Sequence, residues 1–282
     1  MHEELNRQYR RLKIVSAGNL GSPEVASLIA GMATRAREIL QHTEHVALNS
    51  ATGKRYFSFR GEKQSRPINE SLYEDNERDF SSLLDVFVAG LPREERDAAV
   101  RATYSVAFSV FAAHDVHDVG RKASATFFEI LIGHVLARAI GVNPRKKVRV
   151  PESGADLPTD YVFDPGPRSR KMHPPIKTST RERAVQAWVH QLVLERIFGA
   201  GQYRGVLVVA SETKRDTRTG EVTEICVPRQ LQMFQARVAE MSRVYYLDPP
   251  RVYLELGNAF PRVEVKPFGD ALSELPELLD AR

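Results

Sequence analysis

Apolar residues recur at helical spacing through residues 20–42, LGSPEVASLIAGMATRAREILQH, and Ser22-Pro23-Glu24 supplies a capping hydroxyl followed by a proline suited to a first turn. These signals predict a helix of about five turns. Val46 and Leu48, the polar run Asn49 to Gly53, and then Tyr56, Phe57 and Phe59 predict strand, turn and strand, with Lys54, Arg55 and Arg60 interleaved. Residues 77–113 predict further helices, and the stretch RDAAVRATYSVAFSVFAAH is nearly all apolar on one face. The segment 124–142, SATFFEILIGHVLARAIGV, predicts a helix capped by Ser124 and stopped by Gly141. Beyond it the pattern predicts strands around 147–150 and 160–163 and a proline-rich loop. A helix over 180–198 follows, capped by Thr178 or Ser179, then a buried strand Val206–Ala210, a helix over 228–242 and a strand Val252–Leu256.

Helices followed by alternating helix and strand imply an α/β core behind a mainly helical N-terminal region. The expected division is 1–118 and 119–282. A length of 282 residues, with 42% hydrophobic and 27% charged positions, excludes disordered, collagen-like and coiled-coil chains. Cys226 is the single cysteine, so an internal disulfide and a cysteine-based zinc module are excluded and a reducing compartment is expected. The charged N-terminus MHEELNRQYRRLK has no signal-peptide pattern, and no uninterrupted apolar run reaches bilayer length. A cytoplasmic location without membrane contact is expected.

Charge refines the picture through its placement. The formal net charge is +4, yet 142–150 hold Arg145, Lys146, Lys147 and Arg149 with no acid. Residues 168–183 hold Arg168, Arg170, Lys171, Lys177, Arg181 and Arg183 against Glu182 alone. The remainder is therefore net acidic, and a basic band on such a body is the footprint of a nucleic-acid partner or of a solvated basic face.

Sequence signatures for serine hydrolases, phosphate-binding loops and dinucleotide-binding turns are absent. The run His114-Asp115-Val116-His117-Asp118 resembles a metal cluster but lacks a remote third ligand of matching type. Three polar positions stand at the edges of predicted elements: Glu129 inside Phe127-Phe128-Glu129-Ile130-Leu131, Asp160 opening Asp160-Tyr161-Val162-Phe163, and Lys177 after Pro174-Pro175-Ile176. Two carboxylates and a lysine suffice for metal-assisted phosphodiester hydrolysis. The carboxylates hold a hard cation through oxygen, and the lysine orients water and offsets phosphate charge. The alternative is structural: an ion pair for Glu129, a turn cap for Asp160, a surface position for Lys177.

A helix glutamate, an aspartate at the start of an apolar strand and a lysine at the end of the next one resemble the PD-(D/E)xK nuclease superfamily. The stretch Lys177-Thr178-Ser179-Thr180-Arg181-Glu182-Arg183 is similar to type II restriction endonucleases of the EcoRII kind, which read CC/GG-containing sites. The resemblance covers about 119–260. It implies a core with a central mixed sheet flanked by helices, and Mg²⁺-dependent hydrolysis of double-stranded DNA to 5′-phosphates. It also implies a homodimer on a palindromic or near-palindromic site and a companion DNA methyltransferase in a restriction-modification system. Asp160 and Glu129 would bind Mg²⁺, Lys177 would act on the water, and Arg181, Glu182 and Arg183 would read bases. Lys146, Lys147, Arg168, Arg170 and Lys171 would contact the DNA backbone. The chain departs from the family pattern at Pro175, two before the lysine, and at His190 and Gln191, where this branch is expected to carry an acid. His190, Gln191 and Glu195 are thus substitutes for Glu129 as second ligand, and a one-metal site on Asp160 with the Ile176 carbonyl is a further form. A repair or junction nuclease on the same core and a non-catalytic DNA-binding protein are the other readings.

Overall fold

The computed structural model describes residues 2–74, 93–117, 120–180, 183–258 and 260–280. Residues 77–92 of the predicted 77–113 helical stretch, and the expected boundary at 118/119, lie outside these residues, while 93–113 is helical as expected. The described chain falls into two compact units. One draws on Met1–Phe87, Pro92–His134 and Thr213–Ile225, the other on Val135–Glu212 and Cys226–Arg282.

The first unit is mainly helical. Helices α1 (His2–Gly18) and α2 (Pro23–Leu40) pack together, and α2 packs on α3 (Arg93–Val116). The Ser22 hydroxyl accepts the Val25 N–H at 3.3 Å, as the Ser-Pro-Glu signal predicts. Helix α1 is not predicted by the pattern, because its buried Leu5 and Leu12 are too sparse among charges to show a stripe. Strands β1 (Glu44–Leu48) and β2 (Tyr56–Arg60) form the expected antiparallel hairpin, and β3 (Ile68–Asn69) adds to β2. The hairpin cations face carboxylates: Lys54 on Glu224 at 2.8 Å, Arg55 on Glu70 at 3.3 Å and Arg60 on Glu44 at 3.2 Å.

Helix α4 (Gly120–Ile140) is already helical before Ser124, so that residue does not cap it. Ser124 is instead buried with its hydroxyl 3.3 Å from His114 Nδ1. Gly141 stops the helix at φ +78°, a backbone that favours glycine. Lys122–Ile140 is long and apolar enough to cross a membrane, but 61% of the stretch is buried within the protein, as a core helix would be.

The second unit is built on a parallel sheet in the order β12, β11, β8, β6, formed by Val265–Pro267, Met241–Tyr246, Tyr203–Val209 and Lys171–His173, with β7 (Ile176–Lys177) also pairing β8. Strands β4 (Arg145–Arg149) and β5 (Asp156–Val162) form an antiparallel pair, and the antiparallel bridge Phe163 to Met172 joins them to the sheet. Helix α5 (Ala184–Phe198) lies on β8, and α6 (Pro228–Arg237) packs on α5. Trp188, Leu207, Val209, Leu231, Val244 and Tyr246 share one core. The expected α/β fold with a helical N-terminal region is therefore present.

Two predicted elements are corrected. The 228–242 helix ends at Arg237, and its tail becomes β11, which takes the sheet position beside β8. Val252–Leu256 is not a strand: Arg251–Leu254 is helical (α7) and Glu255–Asn258 a 3₁₀ turn. Tyr253 and Leu256 are buried while Val252 and Leu254 face outward, which is helical spacing, and five residues are too few for periodicity to decide. The antiparallel pair β9 (Thr213–Arg215) and β10 (Val222–Glu224) belongs to the first unit, and α8 (Phe268–Leu279) packs on β11 and β12.

Gly205 packs closely beneath α5. An added Cβ would lie 2.7 Å from Met241 Sδ and 2.8 Å from Gln191 Oε1. Gly205→Ala should destabilise the protein by about 1–3 kcal/mol through overpacking, measured as a lower urea midpoint at unchanged m-value.

Candidate active site

The ladder along β8 places the candidate residues. Strand β6 pairs with β8 up to His173, then Pro174 and Pro175, which lack N–H groups, interrupt the ladder, and β7 rejoins β8 at Ile176 and Lys177. Pro175 and Lys177 give their carbonyls to Val208 and Ala210 N–H, at 2.9 and 3.1 Å. Ile176, between them, points the other way. Its N–H donates to Asp160 Oδ2 at 2.9 Å, and in an extended strand its carbonyl shares that edge.

Asp160, from β5, also accepts from Lys177 Nζ at 2.6 Å on the same Oδ2. The side chains are 22% and 17% exposed, so the pair is partly dried and stronger than a surface ion pair yet open to solvent. A carboxylate and an ammonium thus meet at a sheet edge beside a main-chain carbonyl. Such a set can hold a hard cation and a water and present a positive group to a phosphate.

The structure brings Asp160 and Lys177 together within one unit. Glu129, on α4, belongs to the other unit, where its charge adds to burial in raising the Tyr9 phenol above its usual value. Gln191 is buried on α5, and its Nε2 donates to Glu195 Oε1 and to the Tyr203 carbonyl, both at 2.9 Å. Those two acceptors fix the amide. His173 is fully buried, with its ring 6.1 Å from that of His190, and burial followed by His190 lowers its pKa to about 4, so the imidazole is neutral at neutral pH. Among the described residues no group of three or more His, Cys, Asp or Glu is placed to hold a metal. The donor set fits a hard cation in the one-carboxylate form, on Asp160 and the Ile176 carbonyl, with water completing the shell as Mg²⁺ prefers.

Arg181 and Glu182 lie outside the described residues, and Arg183 stands exposed at the N-cap of α5 with no side-chain cap. The capping role expected of Thr178 or Ser179 is thus not found. Of the basic band, Lys147 lies 3.5 Å from Asp156, Lys171 3.0 Å from Asp164, and Lys146 over the Tyr161 ring at 5.0 Å. Arg168 is exposed and Arg170 half-buried.

The His114 run is structural in its described part. His114 is buried, and burial lowers its pKa to about 4. Asp115 accepts the Arg66 guanidinium at 2.7 and 2.8 Å and the Arg66 backbone N–H at 3.0 Å.

Sequence reasoning missed Glu212. It follows the apolar strand β8 and is fully buried. Its Oε1 accepts from Thr180 N–H and Tyr246 OH, both at 2.8 Å, and from the Thr180 hydroxyl at 2.5 Å. The one signal in the sequence was Ser211-Glu212 directly after an apolar strand, where an acid needs buried donors.

No protein-family model and no curated protein matches the chain. Among solved structures, the chain is similar to the PspGI restriction endonuclease bound to substrate DNA, at 12% identity and a TM-score of 0.47 over 70% of this chain and 86% of that one. It is also similar to the type IIP restriction endonuclease Kpn2I, at 24% identity and a TM-score of 0.84, covering 98% of this chain and 97% of that one, so the two chains share one fold along nearly their whole lengths.

Proposed function

We propose that this chain is a type II site-specific deoxyribonuclease. It cuts double-stranded DNA at a short palindromic or near-palindromic site containing CC on one strand and GG on the other, and leaves 5′-phosphates. The observation that carries the reading is Lys177 Nζ held 2.6 Å from Asp160 Oδ2 on the edge that also bears the Ile176 N–H. The fold shared with Kpn2I, a type IIP restriction endonuclease, supports it. Asp160 and the Ile176 carbonyl would hold Mg²⁺. Bound there, the cation would polarise the scissile phosphate and lower the pKa of a bound water. Lys177 would orient the attacking water and offset charge developing on the phosphate. Arg183, with Arg181 and Glu182 beside it in sequence, reads guanine and cytosine edges from the start of α5. A homodimer would match its two-fold axis to that of the site. A companion methyltransferase would protect the same site in the cytoplasm.

The test is digestion of a plasmid of known sequence in Mg²⁺ with the ends mapped. Discrete fragments with 5′-phosphates at one CC/GG-containing sequence support the reading. A preference for branched DNA would make the chain a junction nuclease, and retention without cutting a DNA-binding protein.

The basic band gives a separate expectation. Lys146→Ala with Lys147→Ala should weaken binding to all DNA sequences about equally. The slope of log affinity against log salt should become shallower by about 0.9 for each phosphate that is no longer neutralised. A salt titration of binding to two unrelated duplexes measures both effects.

A further inference from the structure

We infer that Glu212 is a positioning residue that fixes the turn between Lys177 and the base-reading start of α5, so that chemistry and recognition are held in one register. The inference rests on the nuclease reading above. The chain is pinned at successive points along this turn. Ala210 N–H donates to the Lys177 carbonyl at 3.1 Å and Ser211 N–H to the Thr178 carbonyl at 3.2 Å, which sets 177 and 178 by the strand ladder. The ladder ends there. The next fixed point is Thr180, held through both N–H and hydroxyl by Glu212 Oε1. Arg183 N–H then donates to the Thr180 carbonyl at 2.7 Å, which carries the constraint into α5.

A fully buried carboxylate is costly unless donors surround it, and here three converge on one oxygen. Tyr246 is the third. Burial, with the Glu212 charge next, holds its phenol far above its usual pKa, so it remains a donor throughout the working pH range. Tyr246 sits on β11, which pairs with β8, and Glu212 lies three residues beyond the end of β8, so one donor of the clamp is anchored on a central strand. Moving Thr180 would therefore displace Arg183 relative to Lys177 without touching either side chain.

Two measurements on purified full-length protein test the inference. Glu212→Gln keeps the shape and one acceptor oxygen but removes the charge. Amide hydrogen exchange over 178–183 should accelerate in it while exchange along β8 stays slow. Cleavage discrimination between the site and duplexes altered by one base pair should fall about tenfold or more, the size expected when one bidentate base pairing is removed, with non-specific binding unchanged. Thr180→Ser, which retains both donors, should keep discrimination near the parent value, and Tyr246→Phe should fall between. If Glu212→Gln exchanges like the parent over 178–183, or discriminates like the parent, the positioning role is overturned. A parent protein that makes no sequence-specific cut overturns the nuclease reading instead, while the exchange measurement still decides whether Glu212 holds the turn. Should Glu212→Gln not fold, Thr180→Val, which deletes only the hydroxyl donor, carries both measurements with the same expected directions.

Discussion

Lys177→Ala and Asp160→Ala should each lower the cleavage rate by about three powers of ten or more, equivalent to at least ~4 kcal/mol at the transition state. The two side chains share one hydrogen bond, and Asp160 Oδ2 also receives the Ile176 N–H. Removing the carboxylate takes away the charged donor that would hold a hard cation, so the loss should persist at raised Mg²⁺. Removing the lysine leaves Asp160 anchored on the backbone, so cation binding should survive and the rate alone should fall. The pair is partly exposed, and each change should cost the fold about 1–2 kcal/mol, between surface and buried ion pairs. Single-turnover cleavage together with thermal unfolding separates the two effects. A folded variant of either kind that cuts near the parent rate would remove the pair from the active site.

The largest stability effect is expected at Trp188. It is fully buried against β8 and β11, and its Nε1 donates to Gln235 Oε1 at 3.1 Å. Gln235 in turn braces Met241, accepting its N–H and donating to its carbonyl, both at 3.1 Å. Trp188→Ala should therefore cost about 3–5 kcal/mol by opening a cavity and loosening the start of β11. Trp188→Phe keeps most of the packing and should cost less. Urea unfolding followed by circular dichroism measures both, since Trp188 is the only tryptophan and its fluorescence is lost with it.

The long periodic helix α2, the hairpin of β1 and β2 and the strand β8 were legible because their signals are local: a Ser-Pro-Glu cap, a polar turn between apolar arms, an unbroken apolar run. Asp160 and Lys177 were legible as candidates because each is a polar group at the edge of an apolar element. Their direct contact was not, since it depends on the pairing of β7 with β8, which leaves Ile176 facing Asp160 on β5. Val252–Leu256 misled because burial at Tyr253 and Leu256, not alternation, decides its state. Glu212 was silent for a related reason. Its three donors come from Thr180 and Tyr246, far along the chain, and only tertiary structure collects them.

The strands Thr213–Arg215 and Val222–Glu224 pair with each other and belong to the first unit, although most of that unit precedes residue 135. Ser50 bridges to Val222, and Lys54 meets Glu224 at a sequence separation of 170 residues. During synthesis the helical unit therefore cannot complete its own contacts until the chain beyond Glu224 has left the ribosome, by which time the strands of the other unit up to β8 have already emerged. Loop closure over that distance is entropically slow, so the order in which the units mature need not follow the order in which their residues are made. A fragment ending at residue 134 would lack the partner of Lys54 and should be a poorer folder than its helical content suggests.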